Sequence, residues 1–301
     1  MLERLPVLQR WVGDTRLLTG VYWGLAWGSL GLLGYWVMQL GLPIFREGWV
    51  GISWGFLAEE PLRSGRAGGI GSILLATAWI VGICLMTALP LSLGTAILFR
   101  QFQREAPRLI VLIRHCLDVL AGVPSIVFGL FGYAFFCQFM GLGFSILAGG
   151  LTLACMILPV MIRVLEESLA AVPLAYEWGA VSLGLSRVGI LLNLLLPRAL
   201  PGLIGAIIIG LGRAFAETAA LLFTSGYVDR WPQSVMDSGR ALSVHVYDLT
   251  MNVPGGERSA YASALALVLT LLIINTIALA CLHILQRRTP ANAALSLGRS
   301  R

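Results

Sequence analysis

Forty-four consecutive residues, Val119–Ile162, carry no charged side chain. As one helix they would be about 66 Å long, roughly twice the thickness of a bilayer's hydrocarbon layer. The run must fold back on itself, and Gly141-Leu142-Gly143 supplies the turn residues. Other charge-free runs, such as Leu17–Phe45, are long enough to cross once. With 57% of residues apolar and only 12% charged, the chain reads as an all-α integral membrane protein. Six spans are expected, near Leu17–Leu42, Ile70–Phe99, Leu109–Phe136, Phe144–Ile162, Ala199–Thr224 and Ser259–Gln286. They form a membrane domain over 17–288, flanked by a segment at 1–16 and a tail at 289–301. The first run is too long for a signal-peptide core, typically about 7–15 residues, and reads as an uncleaved span. Pro90 is expected to kink the second span.

All 21 basic residues are arginine. Without lysine the chain has no Walker A loop and no Schiff-base chemistry. With the N-terminus in the cytoplasm, 14 arginines fall in inside segments and 6 in outside loops. The positive-inside rule therefore puts both termini in the cytoplasm. The net charge of +6 reflects this orientation rather than nucleic-acid binding. Cysteines 84, 116, 137, 155 and 281 lie in apolar stretches without CxxC spacing, and histidines 115, 245 and 283 are far apart, so no disulfide or metal site is expected.

Arg213 and Glu217 are the only charges between Ala199 and Val228. Intramembrane charges are costly and usually functional. At i,i+4 spacing the two share a helix face. Arg213 is read as an anion contact in a translocation path, with Glu217 orienting it and Thr218 adding a hydroxyl; the alternative is a structural ion pair between helices. Pro124-Ser125, among Gly122, Gly129 and Gly132, either breaks the third span so that its backbone lines a cavity or serves helix packing. His115 and Asp118 read as a polar pair near the interface, with a proton relay as the alternative. Trp49 and Trp54 read as interfacial tryptophans.

The long cytoplasmic loop, 163–198, is patterned. Pro173 suits the first turn of a short helix, Gly184 its end, and Ser186 the cap of the next helix. A helical knob of this kind suits contact with a cytoplasmic partner. The spacing from Gly179-Ala180 through Gly184 to Leu194-Leu195-Leu196-Pro197 resembles the EAA loop of ABC-importer permeases. The usual glutamate position holds Trp178, and Glu177 precedes it. Gly122-Val123-Pro124-Ser125-Ile126-Val127-Phe128-Gly129-Leu130-Phe131 and the segment from Gly212-Arg213-Ala214-Phe215-Ala216-Glu217-Thr218-Ala219 to Thr224 resemble motifs of phosphate-import permeases. The chain is thus similar, from about Gly68 to Arg288, to PstA-type permeases of phosphate-specific ABC importers.

The resemblance implies a type I importer permease fold with a coupling-helix loop, in which Glu177, Trp178, Gly179, Ala180, Gly184 and Pro197 couple to the ATPase. Arg213, Glu217, Thr218, Pro124 and Ser125 would line the path. It further implies a heterodimer with a second, PstC-like permease, two ATP-binding subunits, an extracytoplasmic phosphate-binding protein, and a prokaryotic inner membrane. ATP would be used by the partner subunit and no cofactor bound here. Rival readings are a permease for sulfate, molybdate or phosphonate, a structural membrane subunit, and an intramembrane protease built on Ser145. The last lacks a histidine at matching depth, since His283 is near the other end of a span.

Overall fold

The computed structural model describes residues 5–103 and 105–288. Its elements are α1 (Leu5–Gly51), α2 (Trp54–Ala58), β1 (Pro61–Leu62), β2 (Ala67–Gly68), α3 (Gly71–Phe102), α4 (Pro107–Ala121), α5 (Ser125–Gly132), α6 (Ile146–Ala170), α7 (Leu174–Ser182), α8 (Arg187–Ile190), α9 (Leu196–Ala216), α10 (Ala219–Leu222), α11 (Leu242–Met251) and α12 (Glu257–Arg288). The chain is an all-α integral membrane protein. Five helical stretches are long and apolar enough to cross a bilayer: Thr19–Gly51, Gly71–Phe102, Ile146–Ala170, Arg187–Ala216 and Glu257–Ile284. A sixth arises if the bent pair Pro107–Ala121 and Ser125–Phe139 is one span.

Helices α3, α6 and α9 form the centre. Ile80 and Cys84 of α3, Leu153, Met156 and Met161 of α6, and Ala206 and Leu211 of α9 are buried in one cluster. Small residues let the backbones approach: a Cβ on Gly150 would stand 2.7 Å from the Ile83 side chain. Lipid tails are as apolar as leucine, so this close fit, rather than water exclusion, holds the helices together. α12 packs on α11 and α9, and α1 packs on α12. The α1 contact lies at Gly48 and Gly51, whose missing Cβ atoms make room for the Tyr261 carbonyl and the Ala262 methyl.

Two charge pairs bind α4 to α6. Arg114 pairs with Glu166 and Asp118 with Arg163, so the helices run antiparallel. His115 instead meets the Val111 carbonyl through Nδ1 at 2.7 Å. The expected His115–Asp118 pair is therefore replaced by helix-to-helix pairing.

The structure departs from the sequence expectations at three spans. α1 passes through Pro43 without ending and runs 47 residues, where a span over 17–42 was expected. A proline within a membrane helix is tolerated where local adjustment re-satisfies the backbone groups that it frees. The 109–136 segment bends by 98° at Gly122-Val123-Pro124, and its distal part, Tyr133–Phe139, is wound as a π-helix. The 199–224 segment stops being helical at Ala216. A second π-helical stretch, Leu191–Leu195, joins α8 to α9. Pro197 explains it, because the ring nitrogen offers no hydrogen to the Asn193 carbonyl. The expected tail at 289–301 lies outside the described residues.

Candidate functional site

Two regions gather the residues singled out above. The first is built from two interrupted helices. After Ala216 the backbone of Glu217 turns extended (φ −77°, ψ 128°). Its carbonyl accepts the Ser243 hydroxyl at 2.5 Å, and its Oε1 accepts the Ala220 N–H at 3.3 Å. These tertiary and local acceptor roles draw Glu217 out of the helix. The i,i+4 pairing expected for Arg213 and Glu217 is thus not formed: Glu217 caps the start of α10 instead of holding the guanidinium.

Arg213 stays in the last turn of α9. The negative end of the helix dipole favours a cation there. The residue is half-buried and, among the described residues, makes no ion pair or hydrogen bond. The hydroxyls of Thr218 and Ser125, also half-buried, have no hydrogen-bond partner among the described residues either.

The second interruption, the α4–α5 elbow, abuts the first. A Cβ on Gly129 would stand 2.9 Å from Ala220 Cα and 3.2 Å from the Ala219 carbonyl. α5 therefore lies directly on α10. Pro124 and Ser125 sit about one helical turn, roughly 6 Å, before that contact. Pro124 is the cap residue of α5, and no side chain satisfies the first amides of that helix. Two broken helices, their free polar groups and one unpaired guanidinium are thus brought to the same part of the bundle. Discontinuous helices packed in this way are how membrane proteins present backbone and charge to a polar solute.

α11 supports this region. Its Ser243 holds Glu217, and Thr77 of α3 accepts the Leu242 N–H at 2.9 Å. Further along α11, His245 is buried, with Arg240 and Asp248 as its charged neighbours. Arg240 and Asp248 form an ion pair at 3.2 Å. Burial, then the nearby Arg240, push the imidazole down to about 4. Nothing in the sequence marked Ser243 or Thr77, because a hydroxyl in an apolar helix usually bonds its own preceding turn.

The second region lies at the end of the bundle that carries α7. Pro173 stands at the cap position rather than within the first turn, and Glu177 falls in the first turn of the helix. Gly184 ends it with φ +77°. Its N–H reaches the Val181 carbonyl and the Leu185 N–H the Ala180 carbonyl, at 2.9 and 3.1 Å. This double closure needs a left-handed residue, which glycine supplies. Ser186 accepts the Gly189 N–H at 3.1 Å and so caps α8. Pro197 enters α9 in its first turn. Leu174, Tyr176, Trp178, Val181 and Leu183 are exposed, and space is open around Gly179 and Gly184. Beside this face lies a cavity of about 330 Å³ lined by Ile97, Arg100, Glu177, Trp178 and Arg187, among others.

Ser145 accepts the Ala148 N–H at the start of α6. His283 is near the far end of α12, which starts beside α11 at the same end of the bundle as Ser145. Among the described residues, no hydrogen bond joins Ser145 to His283. No group of three or more metal-ligating side chains occurs among the described residues.

A profile described as "binding-protein-dependent transport system inner membrane component" matches residues 88–290. The chain is 30% identical over 239 residues to the probable ABC transporter permease protein YqgI of Bacillus subtilis, covering 74% of this chain and 81% of the relative. It is also 30% identical over 242 residues to the phosphate transport system permease protein PstA 2 of Mycobacterium bovis, covering 79% of this chain and 76% of the relative. Among solved structures, the MetNI methionine ABC transporter in an inward-facing conformation superposes with a TM-score of 0.56 and 18% identity, over 72% of this chain and 94% of that one.

Proposed function

Since the chain belongs to the family of binding-protein-dependent transport system inner membrane components, and is the permease component of an ABC importer, we propose that it forms part of the path for inorganic phosphate. The observation that carries this reading is Arg213, a half-buried guanidinium in an apolar bundle that makes no ion pair among the described residues. An unpaired charge within a bilayer costs several kcal/mol, so it belongs to a watered path or to an anionic cargo. The guanidinium fork matches the oxygens of a tetrahedral oxyanion. Thr218, Ser125 and the uncapped start of α5 add neutral donors to the same region. Glu217, engaged with the Ala220 N–H, does not pair with Arg213 and so leaves the guanidinium to a passing anion. The likeness to a permease named for phosphate supports phosphate over other oxyanions.

On this reading the α7 end faces the cytoplasm, as the arginine bias requires. The exposed apolar side chains of α7 seat in one of two ATP-binding subunits, with Gly179, Ala180 and Gly184 shaping the contact and Pro197 leading into α9. ATP is bound and hydrolysed there, in the partner. A PstC-like permease completes the membrane core, and a phosphate-binding protein delivers cargo to the opposite face.

Uptake of labelled phosphate by the complete importer in vesicles tests the proposal. Arg213→Gln is expected to lower uptake at least tenfold while the subunits still co-purify; loss of assembly instead would assign Arg213 a structural role. Competition by sulfate, molybdate or phosphonate as strong as by phosphate would reassign the cargo.

A further inference from the structure

An arginine in the last turn of α3 is joined to α6, to α7 and to the link between them. Arg100 Nε donates to Glu177 Oε1 of α7 at 2.7 Å, and Nη2 of the same guanidinium lies in ion-pair contact with that oxygen. Nη1 donates to the Leu169 carbonyl and Nη2 to the Val172 carbonyl, the latter at 2.8 Å. These carbonyls belong to the last turn of α6 and the link that follows it, where a cation is favoured and orphan acceptors need donors. The two side chains are only 14% and 24% exposed. Such a pair is screened little by solvent and holds its geometry better than a surface contact.

The acidic residue of α7 is therefore turned inward. The residue after it, Trp178, is 59% exposed, in line with exposed Tyr176, Val181 and Leu183. The outward face of α7 is apolar and aromatic. We infer that Arg100 is a positioning residue for coupling: through Glu177 it fixes the attitude of α7 and ties it to the ends of α3 and α6, so that the ATP-binding subunit meets an apolar face and its movement passes into the two most closely packed spans. The inference rests on the reading of α7 as the docking helix.

The test uses the complete importer in liposomes, with inorganic phosphate as cargo, and measures phosphate moved per ATP hydrolysed. Arg100→Gln and Glu177→Gln are each expected to lower that ratio at least fivefold, with co-purification and ATP hydrolysis retained. The double variant is expected to be no worse than Arg100→Gln alone, because that substitution already removes the shared contact. Arg100→Lys, which keeps a charge for Glu177, recovers at least half of the ratio. Glu177→Gln leaves Arg100 on the α6 carbonyls, so it decides the matter even if Arg100→Gln does not assemble. An unchanged ratio in Glu177→Gln, or single effects that multiply in the double variant, overturns the inference. Val181→Arg and Leu183→Arg separate the two readings. If they leave ATP-subunit binding and ATP hydrolysis intact, α7 is not the docking helix and the broader reading falls. If they disrupt binding while Glu177→Gln does nothing, only the role of Arg100 falls.

Discussion

At the scale of single residues, Arg213 carries the most weight because its side chain has no ion-pair or hydrogen-bond partner among the described residues. Glu217 is four residues away, yet its carboxylate is spent on the Ala220 amide. Arg213→Lys keeps the charge but loses the fork, and is expected to retain a measurable minority of phosphate uptake where Arg213→Gln retains almost none. His245 gives a prediction in pH. Its folded pKa, about 4, lies below the ordinary 6.5. Between these values the unfolded chain binds the extra proton, so stability rises with pH across this window and is lost as pH falls from about 6.5 to 4. The loss amounts to about 3 kcal/mol over the whole window. Thermal unfolding of the purified complex at pH 7 and pH 4.5 should show a drop in Tm that His245→Gln reduces.

At the scale of elements, the α7 region was largely legible and the membrane breaks only partly so. Gly184 and Ser186 act as their residue types require, since helix ends depend on local φ and on nearby side-chain oxygens. Gly184→Ala must hold an alanine at φ +77°, which costs about 1 kcal/mol. Limited proteolysis of this segment should then run roughly fivefold faster. The elbow at Pro124 also had a local cause, a proline among glycines. The end of α9 was less local: Ala214-Phe215-Ala216 is good helix sequence, and beside the local Glu217–Ala220 contact the Glu217 carbonyl is held by Ser243, 26 residues onward. No periodicity reveals such a long-range partner. Ser243→Ala removes it and is expected to slow phosphate uptake severalfold, through a loss of about 1 kcal/mol at the break. Unchanged uptake would show that the break holds itself.

At the scale of the whole molecule, the apolar runs located the membrane segments, because a charge-free stretch has few other places to go in water. Which spans sit at the centre was not readable: α12 is at least as apolar as α3 and α6, yet of these only α3 and α6 are buried at the centre. Orientation is open to a direct check. With Ser64→Cys in the β1–β2 turn and Ser182→Cys at the end of α7, each in a cysteine-free background, an impermeant maleimide should label Ser64→Cys in intact cells and Ser182→Cys only after permeabilisation. The reverse pattern would invert the topology.

The start of α6 bears on how such a molecule opens. The Ser145, Ile146 and Leu147 amides are held by the carbonyls of Thr224, Asp237 and Val235, and the Ala148 amide by the Ser145 hydroxyl. Every donor that a helix start leaves bare is thereby taken by its own cap or by one loop. Swinging that loop aside like a flap would break three amide–carbonyl bonds at once. The loop and α6 therefore travel as one body, and whatever gap admits the solute at this end must open along a seam between such bodies, not by the lifting of a hinge.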